Sequence, residues 1–232
     1  MTATGSRIGI VTAMRTEVWP LVKNWERKPF QHGGRSFRFF VEGNAAALCG
    51  GVGYEAGKRA AEAMIAFLQP TLLIATGLAG ALQPQYSLGQ TMQPSLIIDA
   101  ATGRRFAAVA GAGVVVSSRM IAGVAEKRAL AAQFAADIVD MEGAAIAEVA
   151  QQHGIPLLAA KAVSDELDFE LPPLNPFVDA DGRFRAARFT LYAAFRPQWW
   201  PTILALKRHS DCAAEALADL LRQMIAERSE IV

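Results

Sequence analysis

The chain has 232 residues, 52% of them hydrophobic and 19% charged, enough for one large α/β domain, residues 1–232, with a fully covered sheet. Its net charge of +1 at pH 7 implies neither nucleic acid nor an anionic surface as partner. Two cysteines, Cys49 and Cys212, with no CxxC motif, read as reduced thiols. With no apolar run near the roughly 18 residues of a spanning helix and no signal-peptide core in Met1 to Arg7, they lead us to expect a cytoplasmic protein.

Strand-like and helical runs alternate along the chain. Arg7 to Ala13 is a predicted strand, Thr16 to Trp25 a short helix, Phe37 to Val41 and Ala45 to Cys49 a strand pair, and Tyr54 to Leu68 a longer helix ended by Pro70. Thr71 to Thr76 is a buried strand leading into Gly77-Leu78-Ala79-Gly80. Strands are predicted at Ser95 to Asp99, Phe106 to Ala110 and Val114 to Ser117, and a helix over Ala122 to Phe134. Glu142 to His153 reads as a helix stopped by Gly154 and Pro156, and Leu157 to Val163 as a strand. Leu171 to Gly182, rich in Pro, Asp and Asn, is an irregular excursion before a long amphipathic helix over Pro201 to Glu227. Such alternation implies a largely parallel sheet between helical layers.

Two acidic signatures carry chemistry. In Val139-Asp140-Met141-Glu142-Gly143 an acid opens a helix, and in Lys161-Ala162-Val163-Ser164-Asp165 another directly follows a strand, at the sheet edge where α/β proteins place ligands. Each acid also has a structural alternative. Glu142 can serve the helix dipole, Asp165 a loop and Glu17 a solvated helix start, and Asp140 we read as an N-cap. A second class of function, dinucleotide binding, is suggested by Gly51-Val52-Gly53-Tyr54-Glu55-Ala56-Gly57-Lys58. Its spacing is GxGxxxG, Val52 spoils the P-loop pattern, and Thr71 to Thr76 ends without an acid for ribose.

Five segments resemble the nucleoside phosphorylase and nucleosidase superfamily, which includes methylthioadenosine/S-adenosylhomocysteine nucleosidase. They are Ile8 to Glu17, Gly51-Val52-Gly53, Ala75 to Gly80, Val139 to Glu142 and Ala162 to Asp165, and they occur in the family's order. The resemblance spans roughly residues 7 to 168. It implies a three-layer α/β/α fold around a mixed, partly barrel-like sheet, and cleavage of the bond between a ribose carbon and a purine nitrogen.

That reaction leaves positive charge on the sugar and negative charge on the base, so the site must protonate the base, hold the sugar and supply a nucleophile. On the resemblance, Asp165 is the general acid toward purine N7, with its pKa raised by burial near other acids. Glu142 binds the ribose hydroxyls over Met141, and Glu17 activates water. Ser164, Gly80, Leu78 and Lys161 complete the expected substrate-binding set. No cofactor or metal is implied, only inorganic phosphate as co-substrate if the enzyme is a phosphorylase. Phosphate would need clamps such as Arg15, Lys161 and the Gly51 to Gly53 turn, whereas water needs a base such as Glu17, so hydrolysis is favoured and phosphorolysis remains the alternative.

Departures from the family bear on substrate. Lys161 stands where many nucleosidases have arginine, Leu78 where they have a small polar residue, and the Asp99 to Val114 segment is short, which predicts a more open pocket. The ending Phe195-Arg196-Pro197-Gln198-Trp199-Trp200-Pro201 is similar to the hopanoid-associated branch, whose members act on adenosylhopane. Trp19, Leu78, Trp199 and Trp200 would then line an apolar exit, and a lipid substrate would bring transient contact with a membrane surface. The family also implies a homodimer, for which the Ala-rich helix from Tyr54 to Leu68 offers close packing.

Overall fold

The computed structural model of the protein describes residues 6–229. Its strands are β1 (Ile8–Thr12), β2 (Glu26–His32), β3 (Arg35–Glu42), β4 (Ala45–Cys49), β5 (Leu72–Ala81), β6 (Thr91–Met92), β7 (Leu96–Asp99), β8 (Arg105–Ala107), β9 (Val114–Ser117), β10 (Ile138–Asp140) and β11 (Leu157–Asp165). Its helices are α1 (Arg15–Val22), α2 (Tyr54–Leu68), α3 (Val124–Phe134), α4 (Gly143–Gln152), α5 (Ala186–Ala194) and α6 (Trp200–Ser229).

The sheet runs β2-β3-β4-β1-β5-β10-β9-β7-β8, with β11 branching from β5 and β6 pairing with β11. It is mixed, because β4, β1, β5 and β11 are parallel while β5 meets β10 antiparallel. The expected α/β fold is therefore present, and the sheet is not closed into a barrel. The branch lies in β5: its first half pairs with β1 (Ile8↔Leu72 to Val11↔Ala75) and its last residues pair with β10 (Val139↔Gly80). β11 follows β5 along nearly its whole length.

Side chains of the central strands alternate between two apolar layers. Leu72 and Ile74 of β5 and Leu158, Ala160 and Ala162 of β11 join a cluster with α1 and α6, through Val18, Leu21, Leu217 and Leu221. Leu73, Ala75, Leu157, Ala159 and Val163 face the other way, onto α2 and α4. Two apolar faces on one strand are what a sheet covered by helices on both sides requires. By the same parity Lys161 points into the α4 side of the sheet.

Ala45–Cys49, Tyr54–Leu68 and Val114–Ser117 have the bounds read from sequence. The strand expected to end at Thr76 continues to Ala81, and β2, β6, β10 and α5 were not anticipated. β2 contains Pro29 and alternates partly buried with exposed residues. It lies at the sheet edge, where one side of the strand needs no ladder bonds and proline is tolerated. The small residues of α2 are used within the chain: Ala56, Gly57, Ala60, Ala61 and Ala63 are buried, facing the sheet and α4. That packing removes the helix as support for a dimer.

Candidate active site

Segments leaving the carboxyl ends of β1, β5, β10 and β11 line a cavity of about 370 Å³, together with the turn before α2 and the start of α6. Glu17, Leu78, Gly80, Met141, Glu142, Ser164 and Asp165 all border it. Lys161 does not.

Glu17 lies in the first turn of α1, where its Oε2 accepts the Met14 N–H at 2.9 Å and the Thr12 hydroxyl. The backbone bond is one half of a capping box, so the chain's entry into α1 aims the carboxylate. Gly77, with φ +145°, passes so close that a Cβ there would sit 3.3 Å from Glu17 Oε2. Burial raises the pKa of Glu17, against the opposing pull of the Met14 amide, the Thr12 hydroxyl and the Lys161 charge.

Glu142 is the residue before α4, and its Oε1 accepts the Gly53 N–H at 2.5 Å. Burial, aided by the charges of Asp140 and Glu17, pushes its pKa up to about 8. Asp140 holds the start of α4: Oδ2 accepts from the Gly143 N–H at 3.0 Å and Oδ1 from the Ser117 hydroxyl at 2.5 Å. Below them Lys161 Nζ pairs with Asp140 Oδ2 at 2.6 Å, both side chains essentially without exposure. Its ammonium also acts on Glu142 and Glu17 through space, and their combined charge raises its pKa despite its burial. The expected substrate-binding cation is instead a counter-charge beneath the acids.

β11 carries a bulge between Val163 and Asp165, so the register slips and Ser164 and Asp165 both reach the cavity. The Ser164 hydroxyl donates to Asp165 Oδ1 at 2.7 Å. Asp165 Oδ2 lies against Lys127 Nζ, which also donates to the Glu166 carbonyl at 2.7 Å. A buried acid among acids was expected, and its contact is a buried cation. Gly80 makes room for this pair, since a Cβ there would stand 2.9 Å from both Asp165 Oδ2 and Lys127 Cε. Lys127 was missed in the sequence. One sign was available: it falls on the inward stripe Val124, Lys127, Ala131 and Phe134 of α3, at helical spacing.

The three amides of the glycine turn are engaged by the protein itself. Gly51 N–H donates to the Ala13 carbonyl at 2.9 Å, Val52 N–H to the Gly182 carbonyl at 2.7 Å and Gly53 N–H to Glu142. Arg15 stacks over the Trp19 ring, 4.0 Å from its centroid, and is exposed. An amide already donating within the protein cannot also cradle a phosphate without being displaced.

The outer half of the cavity is mostly apolar, walled by Met120, Leu174, Val178, Phe189, Ile203 and Leu206, with Lys207 and Ser210 of α6 beside them. Of the expected exit, only Leu78 borders it; Trp19 is beneath Arg15, while Trp199 and Trp200 are at the turn into α6. The shortened segment after Asp99 contributes nothing to the wall, which is built by Met120 to Ala122 before α3, the excursion after Asp165 and the two helices that follow.

A protein with this sheet and these converging carboxyl groups has a recognisable ancestry. Residues 7–113 and 101–189 match the sequence profile of the Phosphorylase superfamily, and the chain belongs to it. No curated protein sequence matches the chain. Among solved structures, it is similar to futalosine hydrolase of Helicobacter pylori (18% identity over 96% of this chain and 98% of that one, TM-score 0.71). It is also similar to H. pylori 5′-methylthioadenosine/S-adenosyl homocysteine nucleosidase (18%, 97% and 100%, 0.73). A third is 5′-methylthioadenosine nucleosidase of Arabidopsis thaliana (18%, 95% and 95%, 0.72). At such identities the likeness speaks for the fold.

Proposed function

We propose that the protein, acting as a single domain, hydrolyses the N-ribosidic bond of an adenine nucleoside. Asp165 hands a proton to N7 as the bond to the base breaks and its electron pair moves onto the purine. Water adds to the ribose carbon and gives its proton to Glu17. Glu142 accepts from the ribose hydroxyls, Met141 packs under the sugar, and Ser164 and Lys127 hold the two oxygens of Asp165. The raised pKa of Glu17 suits a general base, which works best near the operating pH.

Hydrolysis rather than phosphorolysis is carried by one observation: every amide of the Gly51 to Gly53 turn is already donating within the protein. Lys161 and Arg15 strengthen it, the first sealed under Asp140 and the second stacked on Trp19. The same occupied amides weigh against the dinucleotide reading. The test is base release from adenosine derivatives with and without inorganic phosphate. An unchanged rate and free sugar are expected; a phosphate-dependent rate yielding ribose 1-phosphate would establish the phosphorylase instead.

For the 5′ substituent we favour a bulky apolar group of the kind adenosylhopane carries. The apolar outer wall of the cavity supports it. A homodimer remains part of the proposal on the family resemblance.

A further inference from the structure

The segment that supplies the outer wall of the cavity carries one sign of charge along its length. Between Gly182 and Ser210 the sequence places Arg183, Arg185, Arg188, Arg196, Lys207 and Arg208 and no acid, in a chain whose net charge is only +1. Asp179 and Asp211, just outside, pair with Arg185 at 3.5 Å and Lys207 at 2.6 Å. Arg196 lies over the Tyr192 ring, 3.9 Å from its centroid, and Asp181 faces Arg183 while bonded to Arg35. Arg188 and Arg208 have no ion pair among the described residues and are exposed.

Large apolar side chains stand exposed on both sides of the α5–α6 junction. Leu191 (63% exposed) and Phe195 (77%) stand four residues apart at the end of α5, and Trp200 (51%) and Leu204 (55%) four apart at the start of α6. Trp200 Nε1 donates to the Ala193 carbonyl at 2.8 Å, tying the two ends together. Arg188 follows one turn behind Leu191, and Arg208 one turn behind Leu204. The junction is thus apolar and the flanks basic. α5 packs its other face through Phe189 and Tyr192, whose rings lie 5.3 and 5.2 Å from that of Phe177, and leaves Leu191 and Phe195 outside.

We infer that the α5–α6 junction docks on an anionic lipid bilayer. Aromatic and aliphatic tips enter the interfacial region while arginines meet lipid phosphates, the pairing that interfacial helices use. A second copy of the chain is the competing occupant for an exposed apolar patch. A two-fold interface would set this basic surface against itself, and that repulsion favours the lipid. Phe189, Ile203 and Leu206 of the same helices line the cavity, so docking sets the outer wall of the cavity against a bilayer, where a lipid-linked nucleoside resides. Only this last consequence rests on the proposed activity.

Flotation of the intact protein with phosphatidylcholine vesicles, with and without phosphatidylglycerol, tests docking without any turnover. The protein should float with the mixed vesicles at low salt, remain behind with phosphatidylcholine alone, and be released as salt rises. Phe195→Ser with Trp200→Ser, and separately Arg188→Glu with Arg208→Glu, should each weaken vesicle binding about tenfold or more. Cleavage of a short-chain nucleoside should be unchanged in both, and melting temperature should move only slightly, where Trp200 Nε1 loses the Ala193 carbonyl. Docking is overturned if the wild type ignores anionic vesicles or if the variants float equally well. It is also overturned if Phe195→Ser with Trp200→Ser splits a dimer while the wild type shows no lipid binding, which assigns the patch to a second copy. A protein that floats but cleaves no nucleoside keeps the docking and loses the activity.

Discussion

Lys127 Nζ and Asp165 Oδ2 touch at the floor of the cavity, with both side chains nearly sealed from solvent. α3 and β11 thereby hold one carboxyl group between an ammonium and the Ser164 hydroxyl. In the proposed reaction this carboxyl group delivers the proton to N7 of the departing purine.

Asp165→Asn should lower turnover of an adenine nucleoside by about 10²–10⁴-fold, because an amide cannot deliver a proton. Lys127→Met should lower kcat with little change in KM and move the alkaline limb of the kcat–pH profile, the limb that a general acid sets. Steady-state kinetics across pH separates this from simple loss of folded protein, which would scale activity without moving the profile. Near wild-type turnover for Asp165→Asn on adenine substrates would remove it as the acid.

Lys161 is the most exposed to damage by substitution, since Lys161→Met leaves Asp140 buried and unpaired beside Glu142. Breaking such a pair costs about 3–5 kcal/mol. Urea denaturation should show a lower midpoint of that order, with the slope unchanged. A loss under about 1 kcal/mol would place Lys161 in the range of an exposed pair.

Stability should also fall with rising pH. Glu142, raised to about 8 by burial and its acidic neighbours, binds a proton in the folded chain that the unfolded chain releases near the ordinary value of 4.5. Its neutral form therefore supports the fold fully below pH 4.5, and this support is lost as pH climbs through 8. Between those limits it contributes a decline of up to about 1.4 kcal/mol per pH unit. Glu17, raised in the same direction, adds to it. Glu142→Gln should flatten the decline in a pH series of melting temperatures, and an unchanged slope would contradict the assignment.

Much of the frame was legible because apolar runs bounded by glycine and proline settle element type, as in Ala45–Cys49 and Tyr54–Leu68. β5 was cut short because Gly77 and Gly80 look like a break. In the fold both stay in the strand: Gly77 takes a φ of +145° beside the Glu17 carboxylate, and Gly80 passes Asp165 and Lys127 at 2.9 Å from where a Cβ would stand. The acids could be found from their motifs, at strand ends and a helix start. The places of their cations were harder to read: Lys161 was expected at the substrate and lies under Asp140, and Lys127, a residue type rarely buried, offered only its position on the inward stripe of α3. The tryptophans misled in the opposite direction, as aromatic bulk suggested a lining and the fold put Trp200 on the surface.

Substrate preference should follow the apolar wall. About 100 Å² of contact at about 25 cal/mol per Å² amounts to roughly 2.5 kcal/mol before ordering losses. A long-chain 5′-alkyl adenosine should exceed methylthioadenosine in kcat/KM by about tenfold or more, and Leu206→Ala should narrow that ratio while Trp199→Ala leaves it unchanged. A tenfold advantage for methylthioadenosine would point to an ordinary nucleosidase.

The most direct test of the account is the fate of oxygen during cleavage of an adenosine derivative in ¹⁸O-labelled water containing phosphate. The account predicts adenine and free sugar with the label at the anomeric carbon at first turnover, and no sugar phosphate. Ribose 1-phosphate carrying unlabelled oxygen at that carbon would contradict it.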